Sequence, residues 1–222
     1  MELTVYYILM GLTQVPYLLG FIFSLRTINN KSVPHYMRNF YWYSVVGVII
    51  VCMYWMTRVD GRALFVKIHW IALVFHLIFL GQFILYILPK KSSLLSASFK
   101  FIVLIVTISL IVKIQLLPTF MIFTISNLTL LVLCVIYYIN LFRSAPTVFP
   151  LTEPSFWVVT GIFLGMGISF PITIFLEFLG SNSIFRFMKV IMLINMIPYA
   201  IMHLSFVKAY QCSIQPKLPF TS

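Results

Sequence analysis

The run Thr119–Phe142, TFMIFTISNLTLLVLCVIYYINLF, decides the class of this protein. It holds 24 residues without one Asp, Glu, Lys or Arg, and it closes on Arg143. A helix needs about 20 largely apolar residues to cross the hydrocarbon core of a bilayer. The ten-residue alternating segments of a membrane β-barrel do not appear here or elsewhere. Working outward, similar apolar runs occur at Thr4–Leu25, Phe40–Met56, Trp70–Leu88, Lys100–Leu117, Ser155–Leu179 and Phe185–Lys208. The sequence therefore predicts an all-α integral membrane bundle of seven transmembrane helices. It reads as one domain over residues 1–210, with a short cytoplasmic tail at 211–222.

Composition points the same way. Of 222 residues, 62% are hydrophobic and 9% charged, against about a quarter charged in a soluble domain. So few charges cannot cover so much apolar side chain in water, and disordered chains are poor in apolar residues. The net charge of +11 could suggest nucleic acid, but the cations sit at the ends of apolar runs rather than along one polar stripe. That is the pattern of membrane anchoring, with lipid as the partner and no nucleic acid. Trp42, Trp55, Trp70 and Trp157 each fall near an end of a predicted span, as interfacial tryptophans do. Cys52, Cys134 and Cys212 form no C-x-x-C pair, so neither a zinc site nor a disulfide framework is indicated. The first run has only Glu2 before it and no clear cleavage site, so it reads as a retained helix.

Arg26, Lys31, Arg38, Lys90, Lys91, Lys100, Arg143, Lys208 and Lys217 lie on one side of the predicted bundle. Arg58, Arg62, Lys67, Lys113, Arg186 and Lys189 lie on the other. The positive-inside rule then places the N-terminus outside and the C-terminus in the cytoplasm. Every loop is short, so none holds a kinase, nuclease or hydrolase domain. The triple-helix repeat of small sugar transporters is not evident: Pro16 in span one has no counterpart inside span five.

Polar residues inside spans are costly and often functional. Gln14, His76, Asn127 and Asn195, on the four odd-numbered spans, fall about 10–15 Å below the outer boundary. Ser169 on span six comes near the same level. Two readings fit: a ligand-binding layer in the outer half, or interhelical hydrogen bonds alone. Gly161-x-x-x-Gly165 permits close helix approach, while Pro16, Pro171 and Pro198 each remove a backbone donor and favour kinks. These five residues read as helix-packing or gating elements.

Cofactor and enzyme chemistry find little support. His69 and His76 share a helix face but stand about 10 Å apart along it, too far for one metal to take both. Counting from the outer boundary puts His203 some 12 Å deeper than His76, so the two are not expected to meet across a haem. No lysine lies mid-way along the last span and no aspartate within any span, which argues against a retinal Schiff base. Glu177, the one acid in an apolar run, sits near an outer end and reads as interfacial. G-x-S-x-G and H-E-x-x-H are absent. No metal, cofactor or catalytic residue is predicted.

Two stretches carry a resemblance. One is Val33-Pro34-His35-Tyr36-Met37-Arg38-Asn39-Phe40. The other is Glu153-Pro154-Ser155-Phe156-Trp157, followed by Gly161 and Ser169-Phe170-Pro171. Together they resemble a group of small seven-helix inner-membrane proteins of Gram-negative bacteria that often accompany sensor histidine kinases. The resemblance implies a multi-pass inner-membrane location and a signalling context, and it transfers no catalytic residue. The expected function is a non-enzymatic sensor or receptor-like subunit. It would bind a small or apolar ligand in the outer half and signal through a membrane or cytoplasmic partner. A small-solute transporter or channel is the alternative, and a structural subunit of a membrane complex, docking through the Gly161/Gly165 face, is a third.

Overall fold

The computed structural model describes the backbone of residues 3–60, 62–88, 93–111, 119–144, 150–178 and 180–214. Within these, side-chain surroundings are described except at 3–7, 9–10, 54–60, 62–70, 110–111, 119–120, 173, 176–178, 180–193 and 195. Seven α-helices follow one another: α1 (Leu3–Ile28), α2 (His35–Asp60), α3 (Arg62–Ile87), α4 (Ser93–Ile111), α5 (Thr119–Ser144), α6 (Pro154–Phe178) and α7 (Gly180–Ile214). A single 3-10 turn at Pro150–Thr152 leads into α6. The described residues contain no strand.

Most helices overrun their apolar windows. α2 begins five residues before Phe40, α3 begins eight before Trp70, and α7 continues past Lys208 to Ile214. Backbone hydrogen bonding does not stop where hydropathy falls, because long cationic side chains lay their stems along the helix and keep their charge in a polar layer. The first residues of the predicted 211–222 tail are therefore helical. Local chemistry fixes the turns. Asn30 accepts hydrogen bonds on its Oδ1 from the Ser32 amide (3.0 Å) and hydroxyl (2.7 Å), an Asx-type turn between α1 and α2. Pro34 precedes α2 and its carbonyl accepts from the Met37 and Arg38 amides. Pro154 opens α6 behind Glu153, where proline's fixed φ suits the first helical position.

Packing joins α1 to α2, α2 to α3, α3 to α5, α5 to α6, α6 to α7, and α7 back to α1. Six helices thus close a ring, and α4 lies outside it against α3. Successive helices run in opposite directions. Tyr36 of α2 meets Phe83 of α3 with ring centroids 5.9 Å apart, and Tyr137 of α5 meets Ser155 of α6 at 3.1 Å. The last turns of α1, α3, α5 and α7 and the first turns of α2, α4 and α6 therefore share one end, the near end.

The aromatic centre of the ring is Phe40, whose centroid lies 4.9 Å from Phe83, 5.1 Å from Tyr43 and 5.1 Å from Phe206. Two glycines set the α6–α7 approach. A Cβ on Gly161 would lie 2.8 Å from Ser205 Cβ and 2.9 Å from the Met202 carbonyl oxygen, and one on Gly165 would lie 3.0 Å from Met202 Cβ. Gly81 serves α3 in the same way against the Phe99 ring of α4. Pro16, Pro171 and Pro198 all lie inside helices that continue through them.

Outward faces are apolar. Met121, Leu128, Val132, Val135, Ile139 and Phe142 of α5 are exposed at helical spacing, as are Leu94, Phe101, Leu104 and Ile108 of α4. By length and apolarity, two stretches among the described residues are able to cross a membrane, Met121–Arg143 and Pro154–Ile172. Ile71–Ile87 and Ser93–Ser109 are shorter apolar helical stretches.

Candidate functional site

Three ring-bearing residues stand at one level. Tyr17 lies eleven residues before the end of α1, His76 eleven before the end of α3, and His203 eleven before the end of α7. At about 1.5 Å per residue, each is about 16 Å above the near end. Tyr43 of α2 stands among them. The Tyr17 and His203 ring centroids are 3.4 Å apart at an interplanar angle of 30°. Tyr43 stacks on His203 at 6.2 Å and 12°, and meets His76 edge-on at 5.5 Å and 87°. Phe75, Phe79 and Phe206 complete the surround, 5.4–5.7 Å from Tyr43.

This arrangement corrects the expected separation of His76 and His203: both rings contact Tyr43. Depth counted downward from the outer boundary failed because α7, with 35 residues, is longer than α3, with 26, so the two helices do not start at one level. Counted from the shared near end, the two histidines are level.

The polar atoms of the cluster are unequally satisfied. His76 Nδ1 donates to the Ala72 carbonyl at 2.6 Å. A carbonyl only accepts, so Nδ1 carries the proton and Nε2 is the acceptor nitrogen. Ser169 of α6 is buried and interacts with the Tyr199 hydroxyl of α7, one turn before His203. By contrast, the Tyr43 hydroxyl and His203 Nε2 have no hydrogen-bond partner among the described residues. Tyr43 is 1% exposed and His203 4%. An unmade hydrogen bond at a buried group costs about 1–3 kcal/mol, and two such atoms share this one cluster.

The other predicted layer residues are dispersed. Gln14 is half-buried on α1, one turn before Tyr17. Asn127 is buried on α5, whose ring neighbours are α3 and α6, so it lies across the ring from Tyr17. The Asn195 side chain lies outside the described residues, as do those of Glu177 and His69. The sequence reading missed Tyr17, Tyr43 and Tyr199, because tyrosine passes as an interfacial or packing residue wherever it falls. The one available signal was spacing: His203 follows Tyr199 by four residues and so shares its face.

Nearer the end, a second polar set is closed. The Tyr210 hydroxyl lies 2.9 Å from Ser44 Oγ and donates to the Phe40 carbonyl at 3.0 Å. It ties α7 to α2. The Gly161/Gly165 face is likewise closed, being filled by Met202 and Ser205 of the same chain, so it offers no free surface to another subunit.

At the near end itself the stretches 33–40 and 153–157 converge. Tyr36 interacts with Ser155 and lies close to Glu153; burial first, then the Glu153 charge, pushes its phenol up to about 12. Trp157 Nε1 donates to the Leu151 carbonyl at 2.8 Å, and the Cys212 thiol reaches the same carbonyl at 3.8 Å. No group of three or more His, Cys, Asp or Glu side chains able to hold a metal gathers among the described residues.

No family model, curated protein or solved structure matches this chain. The all-helical ring and its buried Tyr–His cluster define the class from geometry alone: a helical bundle with two stretches fit to cross a membrane and an aromatic, imidazole-bearing interior.

Proposed function

We propose that the protein is a multi-pass membrane receptor-like subunit that binds a small, largely apolar ligand whose one polar group meets the Tyr43 hydroxyl and His203 Nε2. The observation that carries this reading is the pair of buried polar atoms, Tyr43 OH and His203 Nε2, without partners among the described residues. A ligand that bears a hydroxyl, amide or similar group and is otherwise apolar would satisfy both atoms while its remainder packs on Phe75, Phe79 and Phe206. Of the expected outer-half layer of Gln14, His76, Asn127, Ser169 and Asn195, the site takes in only His76 directly, with Ser169 behind Tyr199.

In this reading all seven helices span the bilayer, with the N-terminus outside, the near end in the cytoplasm, and the bacterial inner membrane as location. Exposed apolar faces on α1, α4 and α5 support it, since contiguous apolar surface of that extent is not kept in water. The role is binding rather than catalysis. The ligand touches α1, α2, α3 and α7 together, so occupancy would shift their packing and pass to a partner at the near end, where the converging stretches 33–40 and 153–157 lie.

The test is native mass spectrometry of the full chain, extracted gently from its own membrane. A small-molecule adduct on the wild type that is lost from a folded Tyr43→Phe/His203→Leu variant supports the reading. An adduct retained equally by the variant, or none on either protein, counts against it.

A further inference from the structure

Of the rings that meet His203, one reaches the surface. His203 contacts Tyr17, Tyr43 and Phe206. Tyr43 and Phe206 are each 1% exposed, whereas Tyr17 is half-buried. The Tyr17 ring lies in the seam between α1 and α2. A Cβ on Gly47 of α2 would come 3.8 Å from it, and one turn further along α1 Phe21 stacks on Tyr41 of α2 with centroids 6.4 Å apart. Leu18 and Ile22 beside the seam are exposed apolar side chains, so its outer side faces the bilayer in the membrane-spanning reading. One face of Tyr17 thus meets His203 while its edge reaches toward lipid.

Three features loosen α1 at this residue. Pro16, immediately before Tyr17, brings no N–H to the Leu12 carbonyl, so α1 lacks one backbone hydrogen bond there. Gly47 places no side chain against the ring. Gly20, one turn beyond Tyr17, is buried, yet a Cβ on it would meet nothing within 4 Å. Close-packed interiors leave few such gaps, and this one lets α1 shift without a clash at that point. Half-buried Gln14 shares a helix face with Tyr17 and offers its carboxamide to the phenol when the ring turns outward.

We propose that Tyr17 is a lateral gate: its ring swings out of the α1–α2 seam and admits a ligand from the bilayer to His203 Nε2. The inference rests on the Tyr43/His203 site proposed above and adds the route to it, which makes the ligand a lipid-dissolved molecule. The competing routes are the α2–α3 seam at half-buried Phe75 and the far side of the cluster, where Thr13 Oγ1 lies 3.5 Å from Met196 Sδ and ties α1 to α7.

The experiment exposes the full chain in phosphatidylcholine nanodiscs to diethyl pyrocarbonate, a small uncharged reagent that acylates neutral imidazole nitrogen. Modified His203 is followed by peptide mass spectrometry, with exposed His35 as the reference for reagent supply. Tyr17→Ala should speed His203 labelling about fivefold relative to His35, the equivalent of about 1 kcal/mol of lost ring contact. Tyr17→Phe keeps the ring and should match the wild type. Pro16→Ala restores the backbone donor and should slow labelling; it covers the case in which Tyr17→Ala does not fold. Labelling unchanged by both Tyr17→Ala and Pro16→Ala overturns the proposal, as does an acceleration by Phe75→Ala or Met196→Ala equal to that by Tyr17→Ala. Gate and site fail separately. Labelling insensitive to Tyr17, with an adduct still present in the native mass spectrum, refutes the gate alone. Labelling that depends on Tyr17, with no adduct, refutes the ligand site alone.

Discussion

Two tyrosines on neighbouring levels should respond to the same substitution with opposite signs. Tyr43 and Tyr210 are both buried, at 1% and 0% exposure. The Tyr43 hydroxyl has no partner among the described residues, whereas Tyr210 donates to the Phe40 carbonyl at 3.0 Å and lies 2.9 Å from Ser44 Oγ. Removing an unsatisfied buried hydroxyl relieves a desolvation cost of about 1–3 kcal/mol; removing a satisfied one costs about 1 kcal/mol per hydrogen bond. Tyr43→Phe should therefore stabilise the ligand-stripped protein, and Tyr210→Phe should destabilise it by about 1–2 kcal/mol. For a chain of this size 1 kcal/mol moves the melting temperature by about 2–4 °C. The assay is thermal unfolding of both variants in one detergent after extensive delipidation. In the ligand-loaded protein the ranking changes, because Tyr43→Phe then forfeits a bond to the guest. A Tyr43→Phe variant that melts below the wild type in the stripped state would refute the reasoning, since its hydroxyl would then already be satisfied.

Other expected outcomes follow from packing and from the ligand site. Gly161→Ala forces a Cβ to within 2.9 Å of a backbone oxygen, and overpacking of that kind should cost about 1–3 kcal/mol, read as a lower unfolding midpoint. Gly11→Ala meets nothing within 4 Å and should raise stability by about 0.5–1 kcal/mol through helix propensity in the same assay. His76→Leu removes the ring that packs edge-on to Tyr43; ligand retention by native mass spectrometry should fall while the helical circular dichroism is kept.

The seven helices were legible because apolar runs of the right length recur and are punctuated by charge and proline. Their ends were not, because hydropathy reads side chains while helices persist through Arg38, Asn39 and Lys208 by backbone bonding. His203 was misplaced relative to His76 because α7, at 35 residues, outruns the 26 of α3 at the far end, and that hid the cluster. The close approach of α6 and α7 was foreshadowed by Gly161 and Gly165, yet nothing in the sequence said that the partner face was Met202 and Ser205 of the same chain. Nor did it signal that α4 stands outside the ring. Its apolar character is like that of its neighbours, and the device that seats it, Gly81 under Phe99, involves a single small residue among bulky ones. The two stretches 33–40 and 153–157 stood apart in the sequence, and only the antiparallel return of the helices brings Tyr36 to Ser155 and Glu153.

The most direct test of the ligand site is a high-resolution structure of the protein reconstituted from its own membrane. It should show non-protein density larger than a water molecule within about 2.7–3.2 Å of both the Tyr43 hydroxyl and His203 Nε2. Finding both atoms bonded to protein groups, or bridged by water alone, would contradict it.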